Sequence, residues 1–332
     1  MEKEVVVEVR NLKKYFPVKV GFFRNLLGTE TPVVHAVDSV NFQIRSKEIF
    51  GLVGESGCGK TTTGRTILKL TEPTEGHIIF RGKEITFLPH KDMQKLRRDM
   101  QVIFQDPYES LNPRMSVYEL IAEPMRIQEV ADSEEEIKDR IYKVMEEMDL
   151  VPPEEYIYRF PHELSGGQRQ RVAIARAFTL DPTFVVADEP VSMLDASIRS
   201  EVSKLILNLV EEFHLSLLYI THDVALARYM CDRIAVMYLG KIVEKGPSED
   251  VILNPFHPYT QALIRAVPVP DPTARRIDII IRGHVPSGIN PPPGCRFHTR
   301  CLKAKEICKK EEPQLIEVEK GRYVACHFPV EK

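Results

Sequence analysis

The chain has 332 residues, of which 43% are hydrophobic and 28% are charged, as in an ordinary globular protein. Its formal net charge of −3 favours neither nucleic acid nor an anionic membrane surface as a partner. No apolar run approaches the ~20 residues that span a bilayer, and the first residues lead into a strand-like run rather than a secretory leader. The sequence therefore predicts a cytoplasmic protein without a nucleic-acid partner.

Short β-branched runs alternate with helical stretches, which indicates an α/β fold. The predicted elements, in chain order, are strands at 5–9 and 40–44 in an antiparallel layer, a strand at 49–53, a helix over 60–70, a charged helical block over 133–150, a helix after Ser165 that covers 169–178, and strands at 184–187, 217–220, 234–238 and 241–245.

The composition changes after residue 266. Pro268, Pro270 and Pro272, and then three prolines at 291–293, are typical of extended linker rather than packed core. We therefore expect a main domain over 1–266 and a small cysteine-rich domain over 267–332.

A phosphate-binding motif follows the predicted strand at 49–53. Residues 54–61 fit G-x-x-x-x-G-K-[ST] between an apolar strand and a helix, and a chance glycine-rich turn is the alternative. Glycines let successive N–H groups face phosphates at a helix N-terminus, where the dipole favours anions. Lys60 would reach the β- and γ-phosphates, and Thr61 would bind Mg²⁺. The candidate nucleotide-binding residues are Gly54, Glu55, Ser56, Gly57, Cys58, Gly59, Lys60, Thr61 and Thr62.

Two carboxylates end the apolar strand at 184–187. Asp188 is positioned to hold the Mg²⁺ shell, and Glu189 to polarise the attacking water. A strand capped by solvated acids is the alternative, but the phosphate-binding motif makes a catalytic pair the better interpretation.

Residues 164–168 read LSGGQ before a helical pattern. Ser165 suits an N-cap, while Gly166 and Gly167 leave the backbone bare for close approach to phosphate. A helix cap alone would have no need of Gln168.

With these motifs the chain resembles the ABC ATPase family, whose signature is LSGGQ. The resemblance implies a P-loop ABC nucleotide-binding domain with a mixed-sheet core, an antiparallel β layer and a helical subdomain over about 106–180. It also implies an obligate pair of ATPases, in which residues 165–168 close over the ATP of the other subunit.

The same resemblance assigns further roles. Gln105 matches the loop glutamine that reaches Mg²⁺ or water, Asp195 lies in the D-loop, and His222 matches the switch histidine that contacts the γ-phosphate. Phe16 or Tyr15 would stack on adenine, and the family's spacing favours Phe16, with simple core packing as the alternative.

Residues 104–115, 160–171 and 254–260 look like the dipeptide/oligopeptide importer branch, and the segment between Tyr15 and Val34 is similar to its F-type ATPase. This implies a D-type partner ATPase, two permease subunits, an external solute-binding protein and a peripheral location on the cytoplasmic face of the membrane. Residues 106–126 would help to form a groove for a permease helix.

Oligosaccharides or nickel remain alternative cargoes. A soluble non-transport ABC ATPase is less favoured, because the chain has one phosphate-binding motif and no long coiled coil.

Four cysteines fall between residues 295 and 326: Cys295, Cys301, Cys308 and Cys326. Four thiols in a short segment with little apolar material indicate a bound metal. Structural zinc usually shows paired CxxC motifs, which this segment lacks, whereas an iron–sulfur cluster accepts looser spacing. The resemblance also favours a [4Fe–4S] cluster. Zinc and unliganded thiols remain alternatives. His298 and His327 are possible substitute ligands, but they fit better as surface groups or as groups that surround the ligands.

Overall fold

The computed structural model describes residues 4–18, 32–266 and 286–330. Most of the segment between Tyr15 and Val34, and the linker prolines at 268–272, lie outside these residues. The chain forms two compact units. The helical unit comprises Met1–Val6, Arg45–Glu48 and Phe87–Tyr219, and the sheet unit comprises Val7–Ile44, Ile49–Thr86 and Ile220–Lys332.

The strands, in chain order, are β1 Val5–Pro17, β2 Val33–Arg45, β3 Ile49–Val53, β4 Glu75–Phe80, β5 Lys83–Glu84, β6 Met100–Ile103, β7 Phe184–Asp188, β8 Ser216–Thr221, β9 Arg233–Tyr238, β10 Lys241–Pro247, β11 Ile316–Glu319 and β12 Arg322–Val324. The α-helices are α1 Lys60–Ile67, α2 His90–Leu96, α3 Pro107–Ser110, α4 Val117–Ile127, α5 Glu134–Glu147, α6 Gly166–Phe178, α7 Ala196–Glu212, α8 Val224–Met230, α9 Ser248–Leu253, α10 Pro258–Arg265 and α11 Glu306–Lys310.

The sheet unit contains two sheets. One has the order β2-β1-β4-β5, in which β1 pairs antiparallel with β4 and β4 with β5. The other is mixed. In it β3 and β9 are parallel, while β9, β10, β12 and β11 follow as antiparallel neighbours. Because β12 pairs with β10, part of the cysteine-rich segment extends this sheet. The predicted boundary at 266 lies at the edge of the described residues, and a separate C-terminal domain stays a prediction.

The helical unit combines the parallel strands β6 and β7 with helices α2 to α7. Local signals set the starts of its helices. Ser116 and Glu119 form a capping box for α4, and Ser133 caps α5 by accepting the N–H of Glu136. Both helices pack against α6, so their apolar faces bury one core.

The predicted α/β alternation is confirmed, although the bounds of several elements differ from those predicted. The first two strands extend to Val5–Pro17 and Val33–Arg45. The helix predicted to reach residue 70 ends at Ile67, since Lys69 adopts a φ of 54° that no α-helix continues. The block over 133–150 is helical from Glu134 to Glu147 and is followed by Asp149 at a φ of 54°.

Candidate nucleotide site and four-cysteine pocket

The phosphate loop, residues 54–62, leaves β3, whose five residues are all buried. Two of its glycines are required by close contacts. A Cβ on Gly59 would lie 2.0 Å from the carbonyl oxygen of Ala36, and the φ of Gly59 is +108°. A Cβ on Gly54 would lie 2.3 Å from the carbonyl oxygen of Met237. Only glycine fits these positions, so the loop curls tightly into the start of α1.

Lys60 is the cation of this loop, and its side chain is held by the loop's own backbone. Its Nζ donates to the carbonyl oxygens of Gly54, at 2.8 Å, and Glu55, at 3.1 Å, and the residue is only 4% exposed. Burial also raises the pKa of the neighbouring Cys58 thiol. The loop therefore holds one buried positive charge beside a helix N-terminus, an arrangement that suits a phosphate group.

Two side chains that the sequence singled out separately meet in the helical unit. Nε2 of Gln105 donates to Oε2 of Glu189 at 3.2 Å. Glu189 follows the buried Asp188 at the end of β7 and has a φ of 47°, which costs free energy for a residue with a side chain. Ser192 stabilises this turn by donating its N–H and its hydroxyl to the carbonyl oxygen of Glu189. The carboxylate of Glu189 is thus directed by a tight turn and an amide donor.

The LSGGQ segment leads into α6, and Ser165, Gly167 and Gln168 have local structural roles. Ser165 accepts the N–H of Gln168, whose side-chain oxygen accepts the N–H of Ser165 at 2.9 Å, so the two form a capping box. The expectation that a helix cap would not use Gln168 is therefore wrong. A Cβ on Gly167 would lie 2.6 Å from Cγ2 of Ile198, whereas one on Gly166 would have no contact closer than 3.7 Å. Only Gly166 presents open backbone.

The remaining predicted residues lie at the ends of elements. Asp195 is the N-cap residue of α7 in the helical unit. His222 is exposed in the sheet unit, directly after β8, and Asp223 caps α8 by accepting the N–H groups of Ala225 and Leu226. Each polar side chain therefore follows a buried strand or begins a helix, the usual position of nucleotide-binding groups in α/β folds.

The two candidate adenine-stacking residues differ in their surroundings. The hydroxyl of Tyr15 donates to Oδ1 of Asp38 at 2.7 Å, and its ring lies 4.2 Å from that of His35. Phe16 is 40% exposed, and only the ammonium of Lys14 lies over its ring among the described cation–π contacts. Phe16 therefore offers the more accessible aromatic face, and its stacking on adenine stays a prediction.

The four cysteines line one pocket, together with His257 and Phe297, and all four are free thiols. Burial, with a smaller contribution from the neighbouring cysteines, raises the pKa of Cys295 to about 12 and that of Cys326 to about 11. Neighbouring thiolates repel each other, so a bound cation would favour loss of the protons from Cys295 and Cys326. Within the described ranges, however, no three His, Cys, Asp or Glu residues are grouped closely enough to hold a single metal ion.

His257 gives this pocket an additional polar atom. Burial lowers the pKa of His257 to about 3, so the ring is neutral, and its Nδ1 accepts the N–H of Tyr259 at 3.0 Å. The proton must then reside on Nε2, which is buried and has no hydrogen-bond partner among the described residues. This N–H donor belongs to a residue that lines the same pocket as the four thiols, and buried polar groups usually have a hydrogen-bond partner.

A surface groove of about 280 Å³ lies in the helical unit, between the end of β6 and helices α4 and α6. Its floor is fixed by Arg176, whose guanidinium pairs with Glu123 at 2.6 Å and donates to the carbonyl oxygen of Ser110 at 3.0 Å. Ile127 lines the groove and is 69% exposed. The groove thus combines the exposed apolar side chain of Ile127 with the paired charges of Arg176 and Glu123.

A glycine-rich loop between a buried strand and a helix, with paired carboxylates after another strand, defines a P-loop nucleotide-binding protein. The chain matches the ABC transporter model over residues 37–192 and the oligopeptide/dipeptide transporter C-terminal region over residues 243–308. It is 44% identical to the oligopeptide transport ATP-binding protein AppF of Bacillus subtilis, covering 98% of each chain. It is 46% identical to a putative peptide import ATP-binding protein of Brucella ovis, again covering 98% of each.

The fold of this chain is also similar to that of solved ATP-binding cassettes. The dimeric ATP-binding cassette MJ0796, in a post-hydrolysis state bound to ADP and Pi, is similar with a TM-score of 0.64 and 30% identity, over 73% of this chain and 98% of that one. The chain belongs to the ATP-binding proteins of oligopeptide/dipeptide ABC transporters, and it is an ATPase. The predicted resemblance is confirmed. No helix within the described residues has the length and apolar character to cross a membrane.

Proposed function

We propose that this chain is the F-type ATPase subunit of a peptide importer. It would pair with a D-type ATPase and work with two permease subunits and a solute-binding protein, from the cytoplasmic face of the membrane. The similarity to peptide import ATP-binding proteins over 98% of the chain supports peptides as cargo rather than oligosaccharides or nickel. It also disfavours a soluble non-transport role.

The roles proposed for the ATP-site residues follow the family resemblance. Adenine would stack on Phe16, and the phosphates would be bound by the loop at 54–62 with Lys60. Mg²⁺ would be held by Thr61, Gln105 and Asp188, and it would neutralise charge on the phosphates. Residues 165–168, Asp195 and His222 would complete the two sites shared with the partner ATPase.

The contact that carries the catalytic assignment is the 3.2 Å bond from Gln105 to Glu189. The amide donor orients the carboxylate, which would accept a proton from the attacking water. Gln105 also begins the segment that leads into α3 and the groove. A movement of the groove would therefore move Gln105, which orients Glu189. Through this contact the permease would affect the rate of ATP hydrolysis.

We further propose that the groove binds a short cytoplasmic helix of a permease. Ile127 offers the exposed apolar contact, while the Arg176–Glu123 pair keeps α4 and α6 in a fixed arrangement. The main domain would end near residue 266, and the small C-terminal domain would follow it.

The cysteine pocket is proposed to hold a [4Fe–4S] cluster through Cys295, Cys301, Cys308 and Cys326. The four cysteines line one pocket, which supports the proposal, and a bound cluster would offset the charge of their thiolates. The Nε2–H of His257 would donate to a cluster sulfur, and the cluster would stabilise the segment.

A Glu189→Gln substitution tests the catalytic assignment. It keeps the size and the hydrogen bonding of the side chain but removes the base, so hydrolysis should fall by about a hundredfold or more while ATP binding is retained. The matched control is Glu211→Gln, since Glu211 is exposed on α7 outside the proposed site. ATP hydrolysis by the assembled transporter and nucleotide binding by the full chain are measured together. Undiminished hydrolysis by the Glu189 variant would exclude it as the base.

A further inference from the structure

One residue of the phosphate loop is held by groups from two other parts of the sheet unit. The N–H of Glu55 donates to the hydroxyl of Tyr259 at 3.0 Å, which fixes its backbone. Its carboxylate is bound by the guanidinium of Arg300, at 2.9 Å from Nη1 and 3.2 Å from Nη2. Glu55 is thus anchored through both its backbone and its side chain. No local sequence signal indicates the Arg300 contact, because 245 residues separate the partners.

The bridge between Arg300 and Glu55 has the geometry of a strong ion pair. Two parallel N–H···O bonds join the planar groups, and the Arg300 side chain is only 8% exposed. Bidentate, charge-assisted bonds are stronger than neutral ones, and burial reduces their screening by water. Removing one partner of such a pair leaves an uncompensated charge, which costs more than the pair itself contributes.

The bridge has an electrostatic consequence for the loop. A carboxylate in a loop that binds phosphates repels the ligand, and the repulsion is substantial at distances of a few ångströms in a partly buried site. Arg300 offsets the charge of Glu55 and keeps its side chain turned to the C-terminal segment. Lys60 then acts as the loop's net positive charge.

Arg300 itself is held by a rigid surrounding. Its guanidinium carbon lies 5.8 Å from the Tyr238 ring and 6.0 Å from the Phe297 ring, and these two rings pack edge-on at 5.3 Å. Its backbone N–H donates to the carbonyl oxygen of Phe297, which also accepts the N–H of Cys301. The position of Arg300 is therefore set by the turn that carries a cysteine of the four-cysteine pocket.

We propose that Arg300 is a positioning residue for ATP: it holds Glu55 so that the phosphate loop keeps the shape and the net charge that the triphosphate requires. This proposal rests on the proposed role of residues 54–62 in binding ATP. It gives the C-terminal segment a direct effect on nucleotide affinity, in addition to any role in stability.

The test is nucleotide binding by the full chain, with Arg300→Gln as the main variant. Leaving the Glu55 charge unpaired should raise the dissociation constant for ATP about tenfold, the effect of one lost charged hydrogen bond. The KM for ATP should rise by the same factor, while kcat at saturating ATP stays within about twofold. Arg300→Lys should give an intermediate value, because it keeps the charge but loses the bidentate geometry.

A second substitution distinguishes the effect of an unpaired Glu55 charge on ATP affinity from a general loss of structure. In the double variant Arg300→Gln/Glu55→Gln no charge is left unpaired, so ATP affinity should recover to within about threefold of that of Glu55→Gln alone. Arg322→Gln is the matched control, since Arg322 is equally buried in the C-terminal segment but pairs with Glu244 and Glu319 rather than with the loop. It should leave ATP affinity within about twofold of the wild type, even if stability falls.

Lys60→Ala distinguishes failure of this proposal from failure of the proposed function. Loss of binding in Lys60→Ala together with wild-type affinity in Arg300→Gln would overturn the role of Arg300 and leave the ATP site intact. A defect in Arg300→Gln that the double variant does not recover would also overturn it. Wild-type affinity in Lys60→Ala would instead refute the loop assignment on which the proposal rests.

Discussion

The phosphate loop and the four-cysteine pocket both belong to the sheet unit, but they manage their polar groups in opposite ways. In the loop, Lys60 donates to two carbonyl oxygens and Glu55 is paired with Arg300. In the pocket, burial favours neutral thiols, and Nε2 of His257 has no hydrogen-bond partner within the described part of the chain. A site with satisfied polar groups keeps its shape before its ligand binds, whereas a site with unsatisfied groups is completed by what it binds. We therefore expect the loop to have its ligand-binding shape before ATP binds, and folding of the C-terminal segment to depend on a metal.

The largest expected effect comes from the loop. Lys60→Ala removes the buried cation, and ATP affinity should fall about a hundredfold or more, because several charge-assisted bonds to phosphate are lost. Iron content should not change. A titration with a fluorescent ATP analogue measures the effect, and Lys83→Ala, an exposed lysine of β5, is the matched control. An equal loss in both variants would show that general charge, rather than the loop, binds the nucleotide.

The pocket should show the reverse pattern. Cys308→Ser removes one proposed ligand, so iron and sulfide should be lost and the free energy of unfolding should fall by about 2–5 kcal/mol, while part of the ATP affinity remains. Iron and sulfide analysis with thermal unfolding of anaerobically purified protein provides the measurement. Cys231→Ala, at a buried thiol outside the pocket, should keep the metal. A wild-type protein that is fully stable and contains no iron would contradict the proposed cluster, and the four cysteines would then be unliganded thiols.

A smaller effect tests whether the pocket's backbone is as closely fitted as that of the loop. A Cβ on Gly294 would lie 2.5 Å from the carbonyl oxygen of Cys308, whereas one on Gly321 would meet nothing within 4 Å. Both residues have positive φ, at 69° and 76°, so both alanine variants carry similar backbone strain. Gly294→Ala should therefore cost about 1–3 kcal/mol more than Gly321→Ala in chemical denaturation. Equal losses of unfolding free energy in the two variants would mean that the backbone around Cys308 can move to accommodate the added methyl group.

The sequence predicted those parts of the site that depend on local chemistry. The buried strand at 49–53, the glycine-rich loop and the Ser165 cap each follow from residues close together in the chain, and the structure agrees with all three. Gln168 shows how such reasoning errs: the residue also closes a capping box, which its family role concealed. A sequence motif can thus have a structural use and a proposed catalytic use at once.

The contacts between distant segments were not predictable from one sequence. Gln105 and Glu189 were selected separately, but their 3.2 Å contact depends on how β6 and β7 pair. Tyr259 and Arg300 were not selected, although Tyr259 lies in the 254–260 motif that indicated the importer branch. Their partner is Glu55, and no periodicity or spacing rule links residues 204 and 245 positions away from it. Tertiary packing decides such pairs.

The most direct test of the central claim is uptake by proteoliposomes that contain the assembled transporter, with ATP supplied on the side of this subunit. Labelled peptide, oligosaccharide and nickel are offered with the solute-binding protein, to transporters that carry either the wild-type chain or Glu189→Gln. We expect ATP-dependent uptake of peptide alone, reduced to near background by Glu189→Gln. Peptide uptake that is unaffected by Glu189→Gln, or uptake of oligosaccharide or nickel in place of peptide, would contradict the account of this chain as the ATPase of a peptide importer.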